Sequence, residues 1–299
     1  MKRLFAIALL VAASTAGAAP ASTVEILSTG QQFAEGTIFV GPTLYYVDYG
    51  RSAVYRLEDK QPRQVWRQAG SGANGLVQDG EDLLVAGYDN GTIVRISQTG
   101  DTLAVYDHDD AERPFVLPND LASDGRGGIY FTASGDEGDT LGKVYYLAPG
   151  ELPHEVAGGI HNANGLVVSP DGKTLYVAES STDRLFRFGI GAGGALSHKQ
   201  EFLALDTVLA DGVNPRHTPD GVRIDRQGRL FVSLYHGGGF AVFAPDGKLL
   251  ARVDLPGQHH ANLALTPDEK FVEGTIANDS EVDGYLGALY RVPNPVSGG

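Results

Sequence analysis

Short apolar runs of strand length alternate with turn sequences along most of the chain. In the stretch HNANGLVVSPDGKTLYVAES at 161–180, the run Leu166–Val168 is followed by a Pro-Asp-Gly turn and then by the run Leu175–Ala178. Two short runs joined by Asp-Gly predict a β-hairpin, because glycine accepts the positive φ that a tight turn requires. Asn164 stands just before the first run.

The same unit recurs along the chain, each time opened by an acidic or amide residue. The six leading residues are Glu35, Asn74, Asn119, Asn164, Asp220 and Asn262, with spacings of 39, 45, 45, 56 and 42 residues. Six units of this length, each with several short strands, predict an all-β fold: a six-bladed β-propeller with four antiparallel strands per blade around a central channel. A strand candidate at 24–28 is expected to complete the last blade and close the ring.

The first 19 residues have the pattern of a secretory signal peptide. Lys2 and Arg3 precede an apolar core and then small residues, which predicts cleavage near Ala18 or Ala19 and a periplasmic or secreted protein. A membrane anchor is the alternative, but the apolar run is shorter than the roughly 20 residues that span a bilayer. Residues 20–299 contain no Pro/Ser-rich linker, and we expect them to form a single propeller domain.

Charge and composition narrow the choice of partners. The formal net charge is −14, which repels phosphate backbones, so nucleic acid is not an expected partner. No membrane contact is expected of the mature form, and the oligomeric state is left open. The chain has no cysteine, which excludes thiolate catalysis and Cys-ligated zinc.

The repeat predicts that the leading residues meet at the channel, because equivalent positions around a ring become neighbours. Glu35 and Asp220 supply carboxylates, and the four asparagines supply amide carbonyls. Such an all-oxygen set suits one hard divalent cation, with calcium first and zinc, magnesium or manganese as alternatives. Asn-Gly and Asp-Gly are also common turn formers, so any one asparagine taken alone can simply cap a strand.

Several histidines fall on segments next to the predicted channel ends. His161 and His217 lie three residues before Asn164 and Asp220, respectively. His217 and His236 are candidate substrate contacts or proton shuttles. Alternatively, both histidines lie at the rim and only hydrogen-bond to loops. For His259 and His260 we favour this second interpretation.

The sequence resembles the SMP-30/gluconolactonase/luciferin-regenerating-enzyme-like family. The residues that carry the resemblance are AEGTIFVGPTLYYVDYGRSAVYRL, LPNDLASDGRGGIYFTAS, NANGLVVSPDGKTLYVAES and TPDGVRIDRQGRLFVS, in that order. The resemblance implies one divalent metal held in the channel by Glu35, Asn164 and Asp220. It implies that Asn119 lies beside the metal as a ligand or a substrate contact. Leu117 stands where some sugar lactonases of the family have arginine, which points to a substrate less polar than an aldonolactone.

These observations together predict an exported, metal-dependent hydrolase, specifically a lactonase that opens a small lactone with a metal-held water. Asp220 is the candidate base, although it can equally be a permanent ligand, and Asn119 is the second catalytic candidate. Asn74, Asn119 and Asn262 are the candidate substrate contacts besides the two histidines. The alternatives are a phosphotriesterase-like hydrolase and a non-catalytic propeller that binds a ligand or a protein.

Overall fold

The computed structural model describes residues 24–136, 138, 140–210, 216–277 and 287–297. The predicted signal peptide at 1–19 lies outside these residues. The described residues form 24 β-strands, one short helix, α1 (Leu205–Val208), and three single 3-10 turns at Tyr49–Arg51, Ser180–Thr182 and Ala192–Gly194. None of the helices in this part of the chain is long and apolar enough to cross a membrane.

Blades 1 to 3 are consecutive antiparallel meanders whose first strand is innermost. Blade 1 contains β2 (Ala34–Val40), β3 (Thr43–Asp48), β4 (Ala53–Glu58) and β5 (Gln61–Arg67). Blade 2 contains β6 (Ala73–Asp79), β7 (Asp82–Gly87), β8 (Thr92–Ile96) and β9 (Thr102–Tyr106). Blade 3 contains β10 (Pro118–Ser123), β11 (Ile129–Gly135), β12 (Leu141–Leu147) and β13 (His154–Ile160).

Blades 4 and 5 repeat this arrangement, and blade 6 differs only in its outermost strand. Blade 4 contains β14 (Ala163–Val168), β15 (Thr174–Glu179), β16 (Arg184–Ile190) and β17 (Leu196–Ala204). Blade 5 contains β18 (Pro219–Ile224), β19 (Leu230–Leu234), β20 (Gly239–Phe243) and β21 (Leu249–Asp254). Blade 6 contains β22 (Leu263–Leu265), β23 (Phe271–Ala277), β24 (Gly287–Pro293) and, from the start of the chain, β1 (Glu25–Gln31).

The architecture confirms the predicted six-bladed propeller with four antiparallel strands per blade. The pairing of β1 with β24 closes the ring as the strand candidate at 24–28 predicted. Each inner strand contacts the inner strand of the next blade, and β22 contacts β2 across the closure. The apolar side chains pack between facing blades; one cluster joins Val47 and Val54 of blade 1 to Leu76, Val85 and others of blade 2.

The inner strands share an irregularity at the leading residues. In blades 1 to 5 the pairing of the first two strands shifts register there, between Glu35 and Ile38, Ala73 and Leu76, Pro118 and Leu121, Ala163 and Leu166, and Pro219 and Val222. Such bulges bend a strand and re-aim its side chains.

The glycine that follows a leading residue lets neighbouring inner strands approach closely. A Cβ on Gly165 would lie 2.1 Å from the carbonyl oxygen of Asp220, and one on Gly75 would lie 2.2 Å from that of Asn119. No side chain fits in so short a gap, so the Asn-Gly pairs serve the packing of blades as well as the hairpin turns.

Candidate functional site

Five of the six leading residues line one pocket at the end of the channel where the inner strands begin. The pocket measures about 400 Å³, and the five are Glu35, Asn74, Asn119, Asn164 and Asp220. The sixth, Asn262, is buried next to them, and its Nδ2 donates a hydrogen bond to Oε2 of Glu35 at 3.2 Å. The repeat therefore brings all six side chains to one end of the channel.

The asparagines of blades 2 to 4 are held by side-chain hydrogen bonds that follow the ring. Nδ2 of Asn74 donates to Oδ1 of Asn119 at 3.1 Å, and Nδ2 of Asn119 donates to Oγ of Ser134 at 3.1 Å. Ser134 in turn donates to the carbonyl oxygen of Ala163 at 2.9 Å. Asn164 hydrogen-bonds to the side chain of Asp220. Asn74 and Asn164 thus contact the leading residue of the next blade, whereas Asn119 is held by Asn74 and by Ser134 of its own blade.

Two carboxylates of the pocket are almost fully buried. Glu35 is 4% exposed and Asp220 is 6% exposed. Burial, and then the nearby charge of Asp120, raises the pKa of Glu35 to about 8. Burial, and then the charge of Glu35, raises the pKa of Asp220 well above its usual range. The surroundings of the pocket therefore disfavour the ionised form of both carboxyls, and a proton or a bound cation would relieve that cost.

Asp120 and Arg223 form an ion pair beside the pocket that sequence reasoning missed. Nη1 of Arg223, on β18, donates to Oδ2 of Asp120, on β10, at 3.0 Å. Asp120 occupies the position that is glycine after four of the other leading residues. A charged residue at a position that is glycine in most of the repeats is the sequence feature that could have indicated this ion pair.

One side of the pocket is aromatic and the other side is polar. The aromatic side is an arc of four rings, Tyr235, Phe33, Tyr49 and Tyr88. The centroid of the Phe33 ring lies 6.2 Å from that of Tyr235 and 5.9 Å from that of Tyr49, and the Tyr49 and Tyr88 centroids are 6.2 Å apart. The polar side is lined by Asn162, Ser180, Ser181, Arg216, Thr218 and His236. A ligand in the pocket therefore meets mutually inclined aromatic rings as well as hydrogen-bonding groups.

The candidate histidines occupy different environments. His236 lines the pocket, where its Nδ1 lies 2.8 Å from Oγ1 of Thr218 and its ring contacts those of Tyr235 and His259. Burial, and then the neighbouring His259, lowers the pKa of His236. His217 is buried, with 1% of its surface exposed, and its backbone N–H donates to Asp183. His260 is also buried, which lowers its pKa to about 4. His236 is therefore the histidine that the pocket brings to a ligand.

The donor set agrees with a divalent cation but not with a histidine or thiolate metal site. Within the described residues, no three side chains of histidine, cysteine, aspartate or glutamate are grouped as such a site requires. The oxygens available are instead those of Glu35, Asp220, Asn164 and Asn119, which all line the pocket. Two buried carboxylates with raised pKa values are the charge that a hard cation would neutralise.

Comparison with known proteins gives relatives that are lactonases. Lactonase drp35 from Staphylococcus aureus strain bovine RF122 is 32% identical over 173 residues, which are 56% of this chain and 52% of that protein. The match thus spans about half the length of the curated relative. The lactonase activity in its name belongs to that protein as a whole.

Two solved structures share the fold. A gluconolactonase from Xanthomonas campestris superposes with a TM-score of 0.75 at 23% identity, over 91% of this chain and 90% of that one. A calcium-binding protein, regucalcin, from Agrobacterium tumefaciens superposes with a TM-score of 0.71 at 18% identity, over 91% of this chain and 95% of that one. At such identities the likeness shows the propeller fold and no more.

The family model described as SMP-30/Gluconolactonase/LRE-like region matches residues 33–272. This range begins just before the first leading residue and ends beyond the last, so it contains all six side chains that meet at the pocket. The chain belongs to the SMP-30/gluconolactonase/LRE-like family of β-propellers.

Proposed function

We propose that this protein is a hydrolase that opens a small lactone, with one divalent cation held by Glu35, Asn164 and Asp220 and with Asn119 beside it. The observation that carries the proposal is the convergence of two buried carboxylates and three amides in one pocket. A propeller that only presents a binding surface gains nothing from two buried carboxylates whose pKa values are both raised, chiefly by burial. Calcium is the cation that we expect first, because every donor is an oxygen.

The chain's own residues supply orientation and a proton acceptor. A bound divalent cation would act as a Lewis acid on the lactone carbonyl. Asp220, whose pKa is raised by burial and by the charge of Glu35, accepts a proton from the attacking water if it is not a permanent ligand. The water oxygen bonds to the acyl carbon, the ring C–O bond breaks, and the ring oxygen leaves as a hydroxyl group that carries the proton. Asn119, held by Asn74 and Ser134, presents a fixed dipole to the carbonyl.

The walls of the pocket support a substrate that is less polar than a sugar lactone. Phe33, Tyr49, Tyr88 and Tyr235 offer aromatic faces to a planar or apolar substituent, since such rings pair favourably in offset or edge-on contacts. Leu117 supplies no charge where some relatives have arginine. We therefore propose a simple or aromatic γ- or δ-lactone as substrate, hydrolysed at least as fast as gluconolactone.

We also propose that the protein is exported to the periplasm or secreted, because residues 1–19 have the sequence pattern of a signal peptide. A lactone that reaches the protein there would be a small molecule taken up or released by the cell. No partner beyond this small molecule is needed for the reaction.

The test is proton release from a panel of lactones and one phosphotriester, with and without added divalent metal. We compare the wild type with Asn119→Ala and Asp220→Ala. Asn119→Ala keeps both carboxylates and is expected to lower turnover about 100-fold, the usual cost of losing one oriented dipole at such a site. Asp220→Ala is expected to abolish metal-dependent turnover.

The matched control is Asn294→Ala, which removes another buried amide whose Nδ2 donates to the carbonyl of Glu269 in a turn of blade 6. It is expected to retain turnover. Equal background rates for the wild type and the two pocket variants on every substrate would reject the hydrolase and favour the binding propeller. Activity on the phosphotriester alone would favour the phosphotriesterase alternative.

A further inference from the structure

Arg223 joins four blades across the channel. It lies on β18 of blade 5, three residues after Asp220, and its side chain is 15% exposed. Its Nη1 donates to Oδ2 of Asp120 in blade 3 at 3.0 Å. Its Nη2 donates to Oδ1 of Asn262 in blade 6 at 2.9 Å and to the carbonyl oxygen of Thr37 in blade 1 at 3.3 Å. The planar guanidinium is suited to such a junction because its donors have a fixed geometry.

The contact with Asn262 is one of three hydrogen bonds that set which way that amide points, and it is the one from a charged donor. Oδ1 of Asn262 accepts hydrogen bonds from Arg223, from Oγ1 of Thr37 at 3.1 Å and from the backbone N–H of Leu263 at 3.0 Å. Three donors on one atom identify it as the oxygen, so the NH₂ group must face the other way. There it donates to Oε2 of Glu35 at 3.2 Å.

The same oxygen of Glu35 receives a second hydrogen bond. The backbone N–H of Gly36 donates to Oε2 at 3.2 Å. Because both hydrogen bonds go to Oε2, the other oxygen, Oε1, is left for a ligand in the pocket that Glu35 lines. Asn262 is therefore the side chain that holds this carboxylate, and Arg223 is the charged donor among the groups that hold Asn262.

The ion pair performs this role without changing the net charge at the pocket. The side chain of Asp120 is 2% exposed, so a nearly buried negative charge faces the guanidinium. Arg223 offsets part of the charge of Asp120, and the remainder still raises the pKa of Glu35. Glu35 and Asp220 are the carboxylates that line the pocket itself. Removing one partner of such a pair leaves an uncompensated buried charge, whereas removing both does not.

We propose that Arg223 is a positioning residue: through Asn262 it fixes the carboxylate of Glu35 so that one oxygen faces the pocket. The consequence for turnover rests on the proposed function. The consequence for the position of Glu35 does not.

The test is the double variant Asp120→Asn/Arg223→Met, which removes both charges together. The matched control is Asp225→Asn/Arg229→Met. That pair lies in the turn of the same blade between β18 and β19, and its side chains are similarly buried, at 0% for Asp225 and 14% for Arg229. For both variants and the wild type we would determine crystal structures, melting temperatures, the Kd for calcium by titration calorimetry, and kcat and KM on the best lactone.

The expected result is a folded double variant in which the Asn262 amide turns and the contact between Nδ2 and Oε2 of Glu35 is lost. The Kd for calcium is expected to rise and kcat to fall by about 10-fold or more, the usual cost of removing an outer partner of a metal ligand. The control is expected to keep the wild-type Kd and kcat.

The proposal is overturned if Asn262 and Glu35 keep their wild-type positions in the crystal structure of the double variant, whatever its activity. If the wild type hydrolyses no lactone and binds no calcium, the proposed function fails, and the crystal structures still decide the role of Arg223. Should the double variant not fold, Arg223→Lys keeps the charge but not the planar donors. A retained contact between Glu35 and Asn262 in its structure would likewise overturn the proposal.

Discussion

At the scale of single residues, the proton on Glu35 links the site to stability. Its pKa is raised from 4.5 to about 8 by burial and by Asp120, so between these values the metal-free folded protein holds a proton that the unfolded chain has released. The free energy of unfolding therefore falls as pH rises through this window. Below the unfolded pKa and above the folded pKa, both states carry the same charge on Glu35, so this group causes no further change with pH.

We predict that Glu35→Gln reduces this dependence, because the amide has no proton to release, whereas the contribution of buried Asp220 remains. The measurement is urea unfolding in the presence of a chelator, from about pH 5 to about pH 9, where the slope with pH reports the difference in bound protons. Glu58→Gln, in the same blade and exposed, serves as the control. A slope that Glu35→Gln leaves unchanged would show that Glu35 is ionised in the folded protein throughout.

The residues of the pocket differ in how far the sequence could predict them. The repeat predicted that Glu35, Asn119, Asn164 and Asp220 meet, because equivalent positions on a ring must converge. Asn262 has an equivalent position as well, yet its amide faces Glu35 and Arg223. The direction of this side chain depends on partners from two other blades, and spacing along the chain carries no information about them.

At the scale of the element, the close contact between β14 and β18 places Asp220. Gly165→Ala would bring a Cβ within 2.1 Å of the backbone oxygen of Asp220, so one inner strand must move. We expect a loss of roughly 1–3 kcal/mol in the free energy of unfolding, as in other overpacked sites, together with a displaced Asp220 and weaker metal binding.

The control is Gly191→Ala in the same blade, where the nearest atom to the new Cβ is 3.5 Å away. Urea unfolding and calcium titration of both variants test the prediction. Equal stability of the two would mean that the inner strands separate at little cost. The hairpins themselves were predictable from Asp-Gly turns, but this contact was not, since it joins residues 55 positions apart in the chain.

At the scale of the whole molecule, the proposed cation would join blades 1, 4 and 5 through Glu35, Asn164 and Asp220. A ligand that binds only the folded form stabilises it by about 2.7 kcal/mol when present at 100 times its Kd. We predict that a chelator lowers the melting temperature of the wild type, and that Asp220→Ala abolishes this difference.

Scanning calorimetry with and without chelator, and elemental analysis of the purified protein, measure this effect. Glu81→Ala, an exposed carboxylate of blade 2, should respond to the chelator as the wild type does. A melting curve that the chelator does not change, together with no bound metal, would count against the proposed cation. The propeller fold does not depend on that result.

The closure of the ring by β1 and β24 also sets the order of assembly during synthesis. β1 precedes every other described strand, and its partner β24 follows them all, so this pair cannot form until the chain has been made as far as β24. Until then β1 remains an unpaired edge, the kind of surface that other chains can pair with. A growing chain that pauses late in translation is thus exposed to mispairing at its beginning, and that hazard ends only when the last blade is made.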